Sequence, residues 1–186
     1  MSKAETRPAT DADVAEIVRI QRDTWHAAYA DILGQAALAA LDSADAHASW
    51  AAAVADPATD VRVATEGSFT VGFCVSGLAP ESEVADAAGT LPEDAERTGL
   101  VATVLVEPRW GRRGHGGRLL AAAAADLRAR GALRGIGWLA QADSASLGLF
   151  RKAGWNPDGT VRTLDTGERT VREIRVTGSL DLTTVP

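Results

Sequence analysis

Between Gly111 and Gly117 the sequence reads GRRGHGG, and no other stretch is so plainly suited to chemistry. Glycine at every second or third position lets the backbone turn tightly and leaves its N–H groups unobstructed by side chains. Arg112 and Arg113 add positive charge. After the glycines come Arg118, Leu119, Leu120, an alanine run, Asp126 and Leu127, so a helix is expected from Gly117. Before them, Val101, Ala102, Thr103, Val104, Leu105 and Val106 suit a strand buried on both faces, ended by Glu107 and Pro108. A glycine turn between strand and helix gathers free N–H groups at the positive end of the helix dipole. Such a place holds phosphate.

Spacing decides which phosphate ligand. A dinucleotide fingerprint counted from Gly114 and Gly116 needs a third glycine where Leu119 stands, and a P-loop needs Lys and then Ser or Thr where Arg118 and Leu119 follow Gly117. Both are excluded. His115, inside the turn, is read as offering its backbone N–H.

The elements that must position this turn follow from the rest of the chain. Its 186 residues, 46% of them hydrophobic, fit one domain, 1–186, with a sizeable core. A formal net charge of −6 argues against general nucleic-acid or anionic-membrane binding. The arginine pair is therefore a local feature, as a site for one small polyanion would be. No run approaches 18 apolar residues and the first residues have no apolar core, so a cytoplasmic protein is expected. The lone cysteine, Cys74, reads as a small core residue in a strand. His26 and His47 read as solvated, and no His, Cys or acidic cluster has metal-ligand spacing, so no metal is expected.

In order, Arg7 to Ala9 reads as a first strand, and Thr10 or Asp11 caps a helix with Val14, Ile17 and Val18 at helical spacing, continuing through Trp25, His26 and Tyr29. Two more helical stretches, Ala36 to Leu41 before Ser43 and Asp45 to Val54, precede Pro57. Val61–Thr65 and Phe69–Ser76 form a hairpin around Glu66, Gly67 and Ser68. Segment 78–98, acidic and without periodicity, reads as an exposed loop. After the central element come a strand (Ile136–Ala140), a helix capped by Asp143 or Ser144 and stopped at Gly154, and closing strands Val161–Leu164 and Thr170–Thr177. The order predicts an α/β (α+β) mixed sheet with helices on both faces.

The glycine stretch resembles the pyrophosphate loop of the GCN5-related N-acetyltransferase (GNAT) superfamily, Gln/Arg-x-x-Gly-x-Gly/Ala, with Gly114 and Gly116 on the small positions and Gly111 where the family has Gln or Arg. A second stretch, DSASLGLFRKAGW, resembles the family's fourth helix, with Asp143, Phe150, Gly154 and Trp155 on its marked positions. TWHAAYADIL is similar to a Ser-Trp-x-x-Ala-Tyr segment of many bacterial members. The resemblance implies a mainly antiparallel twisted sheet whose fourth and fifth strands splay around acyl-CoA. It implies that the backbone of Val104, Leu105 and Val106 pairs with the pantetheine arm, that N–H groups from Arg112, Arg113, Gly114, His115, Gly116 and Gly117 hold the pyrophosphate, and that Asp143 lies on the cofactor side. Arg151 and Lys152 either form a polar helix face or reach the nucleotide phosphates. Trp25 and Tyr29, one helical turn apart, are core packing by their spacing and acceptor-pocket residues by the resemblance.

The family's usual glutamate base falls on Leu100 and its usual tyrosine acid on Phe150, so the catalytic residues stay unassigned. Two functions follow: an N-acyltransferase moving an acetyl group from acetyl-CoA to a primary amine, or a non-catalytic acyl-CoA sensor or partner-binding domain. An acidic protein suits a cationic acceptor, with Asp31, Asp42 or the loop carboxylates as its contacts. The identity of the amine stays open, as does a homodimer.

Overall fold

A computed structural model of the chain describes residues 3–41 and 45–182. The elements in order are β1 (Ala4–Pro8), α1 (Val14–Ala28), α2 (Ala30–Leu33), α3 (Gln35–Leu41), α4 (Asp45–Ala55), β2 (Thr59–Glu66), β3 (Phe69–Leu78), α5 (Glu81–Val84), β4 (Thr98–Val106), α6 (His115–Ala129), β5 (Arg134–Ala140), α7 (Ser144–Lys152), β6 (Asn156–Asp165) and β7 (Thr170–Ser179). Ser43 and Asp42 lie outside the described residues. The strands form one sheet in the order β1-β2-β3-β4-β5-β7-β6. Every pairing is antiparallel except β4 with β5, which is parallel.

Each face of the sheet carries its own core. On one, Leu119, Leu120 and Leu127 of α6 pack with Phe150 of α7 and with Val101, Cys74 and Trp155. On the other, Ile17 and Ile20 of α1 cover Val61, Val63, Phe73 and Leu105, and Trp50 of α4 sets its edge on Phe73 with centroids 5.0 Å apart. The helix α1 buries Val14, Ile17, Ile20 and Thr24, a stripe at three- and four-residue spacing. It ends at Ala28, with Tyr29 as its last cap, rather than running through Tyr29.

The entry to α1 is tied by a carboxylate. Asp13 accepts from the Thr10 N–H at 2.8 Å and hydroxyl at 3.0 Å, and from two Arg7 nitrogens at 2.8 Å each. The Arg7 guanidinium is the main reason the Asp13 carboxyl is held at about 2, below the ordinary value of about 3.9. A depressed folded-state pKa gives stability that is complete above the unfolded value and lost as pH falls through the folded one. Asp13→Asn should therefore cost roughly 1–3 kcal/mol at pH 7 and much less near pH 2, as urea unfolding at the two pH values would measure.

The acidic segment 78–98 is exposed over most of its length, as expected, but it is not a bare loop. It holds α5 and a 3-10 turn at Ala95–Arg97, and Val84 and Ala95 are buried against Ile136. Arg175, 7% exposed, fastens it by donating to the carbonyls of Glu83, Val84 and Ala85.

Candidate functional site

The parallel pairing of β4 with β5 is short. Thr98, Gly99 and Leu100 pair with Arg134, Gly135 and Ile136. Beyond them, among the described residues, the two strands share no further ladder, although β4 runs on to Val106 and β5 to Ala140. The centre of the sheet is thus a V that opens toward the C-terminal ends of both strands.

A bulge in β4 sits at the vertex. Val75 of β3 pairs with Thr103 and Ser76 with Val101, so Ala102 is an extra residue. Side chains alternate along a strand, so Val101 and Leu105 would share a face without it. Instead Val101 joins the α6–α7 core and Leu105 the α1 core. Ala102 is exposed and Thr103 and Val104 are half-buried, which corrects the expectation of a strand buried on both faces. One extra residue and the loss of β5 as a neighbour are the physical reasons.

At the open end of the V lies the glycine turn. The helix α6 begins at His115, earlier than the expected Gly117, and its N-cap Gly114 is left-handed with φ 80°. Arg112 is left-handed as well, with φ 62°. The first helical bond runs from Arg118 N–H to Gly114 O at 3.0 Å. The N–H groups of Arg112 through Gly117 donate to no backbone carbonyl among the described residues, and they sit at the positive end of a 15-residue helix. A Cβ at Gly116 would meet Leu149 of α7 at 3.2 Å, whereas one at Gly117 would meet nothing within 4 Å. Gly116 is therefore small so that α6 can pack on α7, and the open side of the first turn is at Gly117.

The charge around the turn is sorted by contacts that lie far apart in sequence. Arg113 pairs with Glu66 at 2.9 Å and stands 4.9 Å from the Trp110 ring centroid. Arg109 pairs with Glu107. The His115 imidazole is buried and its Nε2 lies 2.8 Å from the other Glu66 oxygen. This bond and the Arg113 charge hold the Glu66 carboxyl below the usual range. His115 thus anchors the turn to the β2–β3 hairpin in addition to presenting its N–H. Arg118, whose place in the site was not apparent from its spacing, folds back so that Nη2 donates to Arg113 O at 2.8 Å. Arg112 and Arg118 have no carboxylate partner among the described residues, so they, rather than Arg113, supply the turn's net charge.

Across the V, α1 reaches α7. The Tyr29 hydroxyl donates to Asp143 Oδ2 at 2.6 Å, and Asp143 Oδ1 accepts from Ser146 N–H at 3.0 Å as the cap of α7. Both oxygens of Asp143 are engaged within the chain. Burial and the Asp143 charge raise the Tyr29 pKa. Trp25 packs 6.2 Å from Tyr29, and both lie against the α1 core. Phe150 is 2% exposed, and a Cβ at Gly137 would lie 3.4 Å from its Cε1 and from Val101 O. Its ring edge therefore faces the vertex. Leu100 packs in the small cluster with Val84, Ala95 and Ile136. Cys74 is buried and donates to Leu119 O at 3.5 Å, and burial pushes its thiol up to about 12, where the thiolate is negligible at neutral pH.

The sequence model of the Acetyltransferase (GNAT) family matches residues 14–155. The chain belongs to the GNAT acetyltransferase family. No curated protein sequence matches the chain. Among solved structures, PaiA N-acetyltransferase from Thermoplasma acidophilum, in complex with coenzyme A, superposes with a TM-score of 0.72 at 13% identity, over 95% of this chain and 99% of that one. Ribosomal-protein-alanine N-acetyltransferase from Brucella melitensis gives 0.72 at 20% identity, over 94% and 99%. YncA from Salmonella typhimurium, solved with its cofactor acetyl-CoA, gives 0.69 at 20%, over 98% and 97%. The GNAT fold accounts for the splayed centre and for the helix N-terminus at its mouth. Among the described residues no His, Cys, Asp and Glu group could hold a metal ion, and no helix is long and apolar enough to cross a membrane.

Proposed function

We propose that the protein transfers an acetyl group from acetyl-CoA to a primary amine by direct attack within a ternary complex. The observation that carries this reading is the V between β4 and β5, with the unbonded N–H groups of Arg112 to Gly117 at its open end. Those groups, with Arg112 and Arg118, fit a pyrophosphate. The backbone of Val104, Leu105 and Val106, facing the space that β5 vacates, fits a pantetheine arm. Acetyl-CoA supplies the acyl group as a thioester. The chain's part is to hold that thioester against β4, to polarise its carbonyl with backbone N–H groups, and to bring a neutral amine to it. The depth at which Cys74 is buried supports direct attack over an acyl-cysteine.

The apolar residues Leu100 and Phe150 favour the second reading, a non-catalytic acyl-CoA-binding domain. Thiol release from acetyl-CoA with a panel of primary amines, run beside calorimetry of acetyl-CoA, separates the two. Amine-dependent release is expected; binding without release by any amine would establish the second reading.

The cradle has its own test. Gly114→Val places a branched side chain on a left-handed residue, with its Cβ 3.0 Å from Arg118 Nη1. Affinity for CoA should fall at least about tenfold, roughly 1.4 kcal/mol. Unchanged affinity in the folded variant would remove the cradle assignment.

Trp25 and Tyr29 are proposed to border the acceptor. Tyr29→Ala should raise the acceptor KM more than the acetyl-CoA KM, and a melting curve would show how much of the change is lost packing instead.

A further inference from the structure

A cavity of about 580 Å³ opens at the C-terminal end of β5, lined by Asp31 and Ile32 of α2, Ala140 to Ala142, and Arg169 to Arg172 of the β6–β7 turn and β7. It directly precedes Asp143, which Tyr29 holds. The position is preorganised. The Thr166 hydroxyl donates to Leu33 O at 2.8 Å and Arg169 Nη1 to Asp31 O at 2.5 Å, so the β6–β7 turn is clasped to α2.

The charge of the lining runs against that of the protein. Arginines elsewhere are commonly neutralised, Arg62 by Asp126 and Arg130 by Asp60 among them. Arg172 is exposed and has no carboxylate partner among the described residues, and Arg169 donates to a neutral carbonyl, that of Asp31. Against these two guanidinium groups the lining sets one carboxylate, Asp31, so the lining itself carries +1 in a chain of −6, with Glu168 beside Arg169 and the Tyr29-bonded Asp143 at its rim. Unpaired guanidinium groups in a concavity are matched by an oxyanion, which they can bind through two parallel hydrogen bonds. Asp31 is then left to face an ammonium. Ile32, Val171, Ala140 and Ala142 supply apolar walls for the carbon between them.

We propose that the amine this protein acetylates also carries an oxyanion, a carboxylate or a phosphate, held by Arg172 and Arg169. The proposal rests on the acetyltransferase reading above and specifies its acceptor. It narrows the expectation of a cationic acceptor, drawn from overall charge, to an amine that carries an oxyanion as well.

Matched acceptors test it: amino acids against their C-terminal amides, phosphoethanolamine against ethanolamine, and spermidine as the cationic control. Wild-type kcat/KM should favour at least one oxyanion-bearing member over the partner that lacks the oxyanion tenfold or more, and the favoured pair tells carboxylate from phosphate. In Arg172→Ala the ratio should fall to within about twofold of one, with the acetyl-CoA Kd unchanged, and Arg172→Lys should restore part of it. Equal or better use of the amides, ethanolamine or spermidine would overturn the proposal, as would an unchanged ratio in Arg172→Ala. A weakened acetyl-CoA Kd in that variant would assign the arginine to the nucleotide phosphates instead and overturn it too. If acetyl-CoA binds but no amine is consumed, the acetyltransferase reading fails and the proposal with it; turnover without preference sinks the proposal alone.

Discussion

Trp155→Ala is expected to cost about 3–5 kcal/mol of stability, the range for truncating a large buried aromatic. Trp155 is fully buried, and its Nε1 donates to Ser179 O at 2.9 Å. Its ring lies in a slot made by two glycines paired across β5 and β7, Gly135 and Gly178. A Cβ at Gly135 would stand 2.1 Å from Trp155 Cη2, and one at Gly178 would stand 2.2 Å from Cδ1. Neither distance can be accommodated without moving the indole, and the indole is braced by the edge of Phe150 at 5.3 Å. Gly178→Ala alone should therefore cost at least the usual 1–3 kcal/mol of overpacking. In the Trp155→Ala background the same change should cost little, because the atoms it strikes are gone. Urea denaturation of the two single variants and the double variant gives a coupling that should exceed about 1 kcal/mol. Additive effects would mean that the slot does not set the packing of β5 on β7.

What could be read from the chain alone is what depends on neighbours in sequence. The glycine turn, the strand before it and the helix after it follow from local spacing, and so does the cap of α7 at Asp143. The bulge at Ala102 does not, because Val-Ala-Thr-Val-Leu-Val is mostly apolar with no glycine or proline to mark an irregularity, and its register is set by β3. The pairing of His115 and Arg113 with Glu66 joins residues nearly 50 apart, and nothing at either end announces the other. Segment 78–98 reads as a loop because its buried residues, Val84 and Ala95, are isolated among polar ones, and the arginine that anchors it lies on β7. Overall charge does not reveal the lining of the cavity beside α2 for a similar reason. Net charge averages the surface, whereas recognition depends on which charges are left unpaired in one concavity.

Phe150→Tyr is expected to raise kcat if the protein acetylates an amine as proposed. Phe150 faces the vertex of the V beside Gly137 and Val101 O, so the added hydroxyl would lie near where the thioester is held. Tyr29, the only tyrosine, cannot fill that role: it holds Asp143, seven residues earlier on α7. At 1.5 Å per residue, this is about 10 Å from Phe150. Burial and its bond to a carboxylate also raise its pKa, so it retains its proton. With no side-chain acid in place the thiol departs as thiolate, which a pKa of about 8.5 for a model thiol permits. A positioned acid typically contributes about 10²- to 10⁴-fold, and the gain should fall toward the lower end because the leaving group needs little help. Burying the hydroxyl should cost roughly 1–3 kcal/mol unless it finds a partner such as Val101 O. A melting curve and the acetyl-CoA Kd should therefore accompany the rates. A higher kcat at unchanged Kd would show that solvent or the amine itself serves as acid in the native protein. A lower kcat in a folded, acetyl-CoA-binding variant would mean that another group already protonates the thiolate and that the new hydroxyl displaces it.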